Sequence, residues 1–317
     1  MSFSRRARCP RCTTATASRR RRWWAASNNG WREETTMNVT FVGVGAIGLP
    51  MALRIQQAGH AVTGVDVFGR ARENAQMSGI EAVASFGAAP AAEVVVVMVA
   101  TPEHLSTLVD EAVGAVKGQT WVIMSTVGPA SVREQGARLR EAGARVVDAP
   151  VTGGVARAKT GMLVIFAAGE QQDVDSVLPV LDAMGSVHVT GQQLGDGQSI
   201  KVVNQHLCSV HIVAAAEALN LAGALGLDPA AVLKLIEKGA AGSWMLSDRG
   251  PRMVAGTDVE VTSAINIFVK DSGLVNAAAA QCGADVPLLK IAHERYQQAA
   301  DAGLGLHDDS RVIETWR

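Results

Sequence analysis

The sequence predicts a doubly wound α/β half followed by an all-α half. Short apolar runs alternate with helix-like segments between residues 38 and 198, which is the pattern of a parallel sheet covered by helices. The run 94–99 is unbroken and consists mostly of valine, as expected for a strand buried on both faces. After residue 199, apolar residues recur at helical spacing.

The α/β half is predicted element by element from its apolar runs and the breaks between them. The predicted strands are 38–42, 61–65, 94–99, 121–124 and 145–147, each an apolar run rich in β-branched residues. The helices between them are 49–58, which stops at Gly59, then 102–116, which opens with proline, and 130–142.

The all-α half is predicted to begin with one long helix, 199–225, that joins the two halves and ends near Gly226. Helices 229–238, 263–280 and 286–301 and a short terminal piece follow. Asp228 and Pro229 are the residue types of an N-cap followed by proline at the first helical position. The predicted domains are therefore 37–198 and 199–317.

The charge of the chain is divided between a basic leader and an acidic body. Residues 1–36 carry nine Arg and two Glu, a net charge of +7, and because the whole chain carries −1, residues 37–317 carry −8. An acidic body excludes a general nucleic-acid binder, which needs a net basic face. With 48% hydrophobic and 19% charged residues, the body can fill a large core.

Two further features predict a cytoplasmic protein that does not enter a membrane. The longest apolar run, 94–100, is far shorter than the roughly 20 residues of a membrane-spanning helix. The chain has four Cys, too few for a disulfide scaffold, which fits a reducing compartment.

The leader, residues 1–36, shows neither helical nor strand periodicity. Cys9 and Cys12 have the spacing of half a zinc site, but no second ligand pair follows, so no metal site is predicted. The composition, rich in Arg and poor in acid, also suits an organelle transit peptide. We favour a third interpretation, an over-long translation start with Met37 opening the protein, and expect the leader to be disordered or absent from the native protein.

A glycine-rich turn follows the first predicted strand and opens the first predicted helix. In the GxGxxG pattern of Gly43, Gly45 and Gly48, the first glycine permits a tight turn. The second lets the backbone approach a pyrophosphate, and the third lets the helix pack against the strand. The helix N-terminus offers N–H groups and partial positive charge to the phosphates. The predicted cofactor-binding residues of this Rossmann turn are Gly43, Val44, Gly45, Ala46, Ile47 and Gly48.

Asp66 ends the second predicted strand, about 20 residues after the glycines, as the dinucleotide pattern requires. A carboxylate at this position accepts hydrogen bonds from ribose hydroxyls and repels a 2′-phosphate, which favours NAD as the cofactor. Arg70 and Arg72 lie just beyond it and leave room for NADP.

Three segments leave the carboxyl ends of the predicted strands, where ligands bind in such sheets. They are 100–102, 125–129 and 148–154, and each breaks with Pro or Gly where its strand ends. We expect these loops to line the ligand pocket.

Lys201, Asn204 and Gln205 lie at positions i, i+3 and i+4 of the long predicted helix, so that they project from one face. Amino and amide groups grouped in this way can bind a polar ligand. The alternative is a solvated helix face on which the lysine reaches to water. Spacing alone does not decide between the two.

Four sequence blocks, in this order, resemble the β-hydroxyacid dehydrogenase family. They are GVGAIG at 43–48 with Met51 and Ala52, DAPVTGG at 148–154, GDG at 195–197 with KVVNQ at 201–205, and FVKD at 268–271. The family includes 3-hydroxyisobutyrate dehydrogenases and tartronate semialdehyde reductases and is related to 6-phosphogluconate dehydrogenase. The resemblance covers residues 37–317 and implies a Rossmann domain and an all-α domain joined by a long interdomain helix.

On the substrate side, the resemblance implies that Lys201 is the family's catalytic lysine. The loop that binds the substrate carboxylate, in which the usual first residue is Ser, corresponds here to Thr152, Gly153 and Gly154. Asn204 and Gln205 complete the substrate site. Position 205 is often Asn in the family, and the longer Gln leaves the substrate preference open.

On the cofactor side, the resemblance implies that Thr126 lies near the nicotinamide, and Val99 is assigned to the same cofactor site. Lys270 matches a lysine that closes over cofactor and substrate, with Asp271 supporting it.

The implied reaction is the oxidation of an alcohol, in which hydride passes to nicotinamide C4 while a base takes the hydroxyl proton. A lysine acts as this base only if its pKa falls toward neutrality. Burial in an interdomain cleft and the positive charge of NAD⁺ both lower it. In the reverse direction the ammonium donates the proton.

Segments 243–245, 267–271 and 308–310 are most similar to the L-threonate dehydrogenases of this family, which oxidise the C2 hydroxyl of a four-carbon sugar acid. Alternative substrates are 3-hydroxyisobutyrate and tartronate semialdehyde. The presence of Lys201 argues against a non-catalytic dinucleotide-binding module and against an imine-reducing relative. The resemblance also implies a homodimer or homotetramer formed through the all-α half.

Overall fold

The computed structural model describes residues 36–316, and its first half is a nine-stranded sheet with helices. The interpretations placed on residues 1–35, including the half zinc site, lie outside this range. The strands are β1 Asn38–Val42, β2 Ala61–Val65, β3 Glu81–Val83, β4 Val94–Val97, β5 Thr120–Ile123, β6 Arg145–Asp148, β7 Val151–Thr152, β8 Leu163–Ala168 and β9 Gly185–Gly191.

Six helices accompany the sheet, and the described remainder of the chain is helical. Those of the first half are α1 Gly48–Gln57, α2 Gly69–Met77, α3 Pro102–Ala112, α4 Pro129–Glu141, α5 Gly154–Thr160 and α6 Gln171–Asp182. Those of the second half are α7 Asp196–Ala224, α8 Pro229–Ile236, α9 Trp244–Val254, α10 Ile265–Cys282 and α11 Pro287–Ala299. A kinked turn, Ala300–Leu304, and a 3-10 segment, Asp309–Trp316, follow. The predicted fold class, a Rossmann domain followed by an all-α domain, is confirmed.

The sheet has the order β3-β2-β1-β4-β5-β6-β8-β7, with β9 paired to β8. Strands β1 to β6 run parallel, and the chain reverses direction across the sheet between β1 and β4. Ligands bind at such a reversal, outside the carboxyl ends of the strands. Valine fills β4, whose four residues are all buried, because separate hydrophobic cores cover the two faces of the sheet.

Several elements had no strong signal in the sequence. Strand β3 has only three residues, and the run between β6 and α7 contributes three further strands, with β8 antiparallel to β6 and β7. Strand β4 ends at Val97, two residues before the predicted end, because Val99 has left the sheet and donates its N–H to the Ser125 hydroxyl at 2.7 Å.

Helix α7 connects the two halves. It packs against α4 and β8 on one side and against α9, α10 and α11 on the other. By length and composition it is the one helix within residues 36–316 that could cross a membrane, a property that core helices of soluble proteins share. It begins at Asp196, three residues before the predicted start, because the buried carboxylate of Asp148 accepts the N–H groups of Gly195 and Gln198.

Asp308 and Asp309, where the C-terminal 3-10 segment begins, hold α9 in place through ion pairs. Arg249 donates to Asp309 at 2.9 Å, and Arg252 donates to Asp308 at 3.0 Å. Both carboxylates are fully buried. The guanidinium of Arg249 also lies 5.6 Å from the ring centre of Trp244. The position of α9 therefore depends on residues about 60 positions further along the chain.

Candidate active site

The glycine-rich turn has the geometry that its sequence pattern requires. Gly43 has a φ of +94°, and a Cβ there would lie 2.3 Å from the carbonyl oxygen of Met98. At Gly48 a Cβ would lie 1.8 Å from the carbonyl oxygen of Gly43 and 3.0 Å from the ring of Phe41. The turn and the packing of α1 on β1 therefore both exclude a side chain at these positions.

Gly45 differs from the other two glycines, because a Cβ there would meet no protein atom within 4 Å. The space beside it opens at the N-terminus of α1, where no side chain caps the helix. Uncapped N–H groups and an exposed glycine backbone form a cradle for an anion. The residues at this turn thus fit the pyrophosphate of a dinucleotide. Val44 is buried, whereas Ala46 is exposed and Ile47 partly exposed.

Asp66 directly follows β2, whose last residue, Val65, accepts the N–H of Gly43 in the glycine turn at 2.8 Å. Oδ1 of Asp66 accepts the N–H of Phe68 at 2.9 Å. Arg72 donates to the backbone carbonyl of Asp66 at 2.8 Å, so its guanidinium is held beside the chain, while Arg70 is exposed. The carboxylate is thereby oriented by the turn that starts α2.

The loops after β4 and β5 lie side by side, because the two strands pair in register up to Val97 and Ile123. Val99 in the first loop is bonded to Ser125 in the second. Thr126 follows Ser125, and its carbonyl oxygen accepts a 2.9 Å hydrogen bond from Lys270 of α10. The predicted cofactor-side residues Val99, Thr126 and Lys270 are therefore brought together at one edge of the sheet.

Asp148 and Gln198 form a buried network that the sequence interpretation missed. Besides the N–H groups of Gly195 and Gln198, Asp148 accepts the side-chain amide of Gln198 at 3.1 Å. The Gln198 oxygen in turn accepts the N–H groups of Val127 and Gly128 at 3.1 and 3.0 Å. Burial raises the pKa of Asp148 to about 6, against the effect of these hydrogen bonds. The network fixes the start of α7 to the loop that carries Thr126.

Lys201 lies one turn after Gln198, and it is buried, with 6% of its surface exposed. Its Nζ donates to Gln205 Oε1 at 2.8 Å, and Asn204 Nδ2 donates to the same oxygen at 2.9 Å. Gln205 Nε2 donates to Oδ2 of Asp271 at 2.5 Å. The alternative of a lysine on a solvated helix face is therefore wrong, and the three predicted polar residues form one cluster.

Lys270 connects this cluster to the sheet. Its Nζ forms an ion pair with Oδ1 of Asp271 at 2.8 Å, although the angles at this contact are not those of a hydrogen bond. The same Nζ donates a hydrogen bond to the Thr126 carbonyl. An unbroken series of contacts thus runs from Lys201 through Gln205, Asp271 and Lys270 to Thr126. The two halves of the chain meet at this series.

The environment of Lys201 disfavours its charged form. Burial lowers the pKa of the Lys201 amine below its usual range. The negative charge of Asp271 and the thiol of Cys208 oppose this shift, whereas the positive charge of Lys270 adds to it. An amine with a lowered pKa can accept a proton from an alcohol near neutral pH.

The predicted carboxylate loop lies next to the first turn of α7. Gly153 and Gly154 have φ values of +132° and +66°, and Thr152 is held by pairing with Val164 of β8. Pro150, at the start of the loop, lies 3.1 Å from the position of a Cβ on Gly197, one turn before Lys201. The segment that leads into the loop therefore contacts the helix turn that precedes Lys201.

A cavity of about 380 Å³ lies between the two halves, beside the contact of Lys270 with Thr126. Its walls come from the first turns of α3 and α4 and from the face of α10 that continues from Lys270, and they include Pro102, Gly128 and Leu274. Within residues 36–316, no group of three or more His, Cys, Asp or Glu side chains could hold a metal ion.

Two family models divide the described chain between them. Residues 38–195 match the NAD-binding domain of 6-phosphogluconate dehydrogenase. Residues 195–316 match the NAD-binding model of NADP-dependent 3-hydroxyisobutyrate dehydrogenase.

Curated relatives and solved structures extend over nearly the same region. The chain is 33% identical to an L-threonate dehydrogenase of Haemophilus influenzae, over 89% of this chain and 96% of that protein. It is 30% identical to the human mitochondrial 3-hydroxyisobutyrate dehydrogenase, over 88% and 86%. A crystal structure of a 3-hydroxyisobutyrate dehydrogenase from Salmonella typhimurium, 32% identical, superposes with a TM-score of 0.82 over 88% of this chain and 99% of that chain.

These matches agree with the uncapped glycine turn and with the buried lysine between the two halves. They make the protein an NAD(P)-binding oxidoreductase that acts on a small molecule. The chain belongs to the β-hydroxyacid dehydrogenase family, whose members include the 3-hydroxyisobutyrate and L-threonate dehydrogenases.

Proposed function

We propose that this enzyme oxidises the C2 hydroxyl of L-threonate, or of a closely related four-carbon sugar acid, with NAD as the hydride acceptor. Relatives from Haemophilus influenzae and Cupriavidus necator that carry the name L-threonate dehydrogenase are 33% and 34% identical to the chain over most of its length. The observation that carries the reaction type is the buried Lys201, held by Gln205 at 2.8 Å and with a lowered pKa.

Lys201 is the general base of this reaction. When the hydroxyl O–H bond breaks, its proton goes to Nζ of Lys201, and the oxygen forms a double bond to carbon as the C–H electron pair leaves with the hydride. The bound nicotinamide supplies the two-electron hydride acceptor. Gln205 accepts one N–H of the amine and so fixes its orientation. In the reverse direction, the Lys201 ammonium returns the proton to the carbonyl oxygen.

The remaining predicted residues bind the substrate or orient the groups around it. The Thr152 hydroxyl and the backbone of Gly153 and Gly154 bind the carboxylate, and Asn204 holds Gln205 in place through its 2.9 Å hydrogen bond. Lys270 closes the cleft by bonding to the Thr126 carbonyl beside the nicotinamide site.

The glycine turn binds the cofactor pyrophosphate, and Asp66 binds the adenosine ribose. Asp66 makes NAD the preferred cofactor, because its carboxylate repels a 2′-phosphate, and Arg72 uses one of its N–H groups to bind the Asp66 carbonyl.

A spectrophotometric assay of nicotinamide reduction tests the substrate. L-Threonate, D-glycerate, 3-hydroxyisobutyrate and 4-hydroxybutyrate are each tested with NAD and with NADP. We expect the highest kcat/KM for L-threonate with NAD. A higher kcat/KM for another acid in the panel would contradict the proposed substrate while leaving the reaction type intact.

The second candidate substrate is 3-hydroxyisobutyrate. It is the substrate named for the Salmonella typhimurium structure and for the human relative. The assay above decides between the two acids directly.

A stripe of exposed apolar side chains along α7 and its C-cap residue supports assembly with a second copy of the chain. Its members recur at helical spacing and are about half exposed, at 44% to 68%: Ile200, Val203, Leu207, Leu221 and Leu225. A stripe on one helix can pair with itself about a twofold axis, and we propose a homodimer formed in this way. Light scattering should give the mass of a dimer for the wild type and of a monomer for Leu207→Glu.

We place the enzyme in the cytoplasm. Within residues 36–316 the two cysteines, Cys208 and Cys282, are both free thiols, as is usual in a reducing compartment. Cell fractionation with an antibody to the chain tests this location.

A further inference from the structure

The two lysines of the candidate active site are already engaged. Lys270 is paired with Asp271 and bonded to the Thr126 carbonyl. Lys201 has to be neutral to accept the hydroxyl proton, so it cannot also balance the charge of a substrate carboxylate. If the proposed function holds, the carboxylate needs a further cation, because a buried anion without one is costly.

Arg157 is a cation at this loop that the sequence interpretation passed over. It lies on α5, directly after the loop, and its side chain is exposed. Within residues 36–316 its guanidinium makes no described hydrogen bond or ion pair, in contrast to Arg54 on the neighbouring helix, which donates to the Lys159 carbonyl. A free guanidinium at a ligand loop is available to an anion.

The stem of Arg157 passes directly over Gly153. A Cβ on Gly153 would lie 2.8 Å from both Cβ and Cδ of Arg157. Side chains on a helix lean toward its N-terminus. The stem therefore runs from α5 back past Gly153, toward the end of the helix at which Thr152 and Gly154 lie. Glycine is required at position 153 for two reasons: the backbone has a φ of +132°, and the stem of Arg157 occupies the space that a side chain would need.

We propose that Arg157 binds the carboxylate of the substrate, together with the Thr152 hydroxyl and the backbone of Gly153 and Gly154. This inference rests on the proposed function and extends it. A guanidinium binds a carboxylate through two parallel N–H groups, so Arg157 selects hydroxy acids against neutral alcohols of the same shape. Arg157 is a specificity residue, because the proton and the hydride move elsewhere, at Lys201 and the nicotinamide.

Kinetics of Arg157→Met test the proposal, with L-threonate and its neutral carboxamide as paired substrates. We expect KM for the acid to rise about 10- to 100-fold, the size of a charge-assisted hydrogen-bond pair, with kcat little changed. The KM for the carboxamide should be the same in wild type and variant. Arg157→Lys should recover part of the loss, and Lys159→Met, an exposed lysine on the same helix, is the matched control.

Three results would overturn the proposal. One is an unchanged KM for the acid, and another is an equal loss for acid and carboxamide, which indicates a structural role. The third is a raised KM for NAD alone, because the guanidinium would then bind a cofactor phosphate. Calorimetric binding of L-threonate to the NADH complex separates this proposal from the proposed function: a wild type that does not bind L-threonate contradicts the function, whereas binding that Arg157→Met leaves unchanged contradicts only the role of Arg157.

Discussion

Gln205 donates a 2.5 Å hydrogen bond from Nε2 to Oδ2 of Asp271, 66 residues further along the chain. Its other amide atom, Oε1, accepts the N–H of Lys201 at 2.8 Å. One side chain thus joins the candidate base on α7 to the Lys270–Asp271 pair on α10. An asparagine at 205 is shorter by one methylene and would not span both contacts from the same backbone position. The amide length at this position therefore decides whether the base is tied to α10.

Replacing Lys201 tests its role as the base. We expect Lys201→Met to lower kcat by about 10²- to 10⁴-fold, the usual contribution of general acid–base catalysis, with the Kd for NADH unchanged. Stopped-flow or steady-state turnover gives kcat, and fluorescence titration gives Kd. The exposed Lys234→Met is the matched control. Near-normal turnover of the Lys201 variant would rule out the assignment.

The charges around Lys201 predict two opposite shifts of the pH profile. Oxidation needs the neutral amine, so its rate falls on the acid side as Lys201 becomes protonated. Asp271 raises the pKa of Lys201 and Lys270 lowers it. We therefore expect Asp271→Asn to move the acid limb of kcat/KM to lower pH and Lys270→Met to move it to higher pH. The exposed Asp285→Asn should leave the limb in place, and shifts of the same sign in the first two variants would contradict this account.

Asp66 predicts the cofactor preference. Asp66→Asn keeps an oxygen that can accept the N–H of Phe68 but removes the charge that repels a 2′-phosphate. The ratio of kcat/KM for NAD over NADP should fall by about 10- to 100-fold, which corresponds to one charge-assisted interaction. An unchanged ratio would mean that the carboxylate does not face the ribose.

The sequence predicted five of the six parallel strands, β1, β2, β4, β5 and β6, because a buried parallel strand of four or five residues is a recognisable apolar run. It missed β3, which has only three residues. It also predicted that Lys201 and Gln205 share a helix face, which is a local property of helical spacing. It did not predict helix α9, because Gly250 and Pro251 interrupt its pattern and its position depends on the distant Asp309.

The Asp148–Gln198 network could not be predicted from the sequence either. A glutamine in the first turn of a helix is normally a surface residue, and nothing local marks Gln198 as fully buried. Its burial depends on the loop after β5 lying 70 residues away in sequence and directly beside it in space. The one signal in the sequence was Asp148 itself, an aspartate at the end of an apolar strand and the first residue of the DAPVTGG block.

Asp148 predicts a specific dependence of stability on pH. Its folded pKa is raised to about 6 from 3.8, with burial as the main cause. Between these two values the unfolded chain has released the proton that the folded chain retains. The free energy of unfolding therefore falls as pH rises through this window and levels off above about pH 6. The shift corresponds to about 3 kcal/mol as an order of magnitude.

Asp148→Asn removes this titration. Urea unfolding gives the free energy of unfolding of wild type and variant at each pH between about 4 and 7. The difference between the two proteins should change by about 3 kcal/mol, as an order of magnitude, across this range. Because the amide cannot titrate, the variant should lack the decline that the wild type shows as pH rises. The variant should also be less stable than the wild type at low pH. Its one amide oxygen can accept the N–H groups of Gly195 and Gln198 that Oδ2 accepts, but its NH₂ group cannot accept the side-chain amide of Gln198, which Oδ1 accepts. Parallel curves over the whole range would show that Asp148 is ionised in the folded protein throughout, with its N–H partners offsetting the cost of burial.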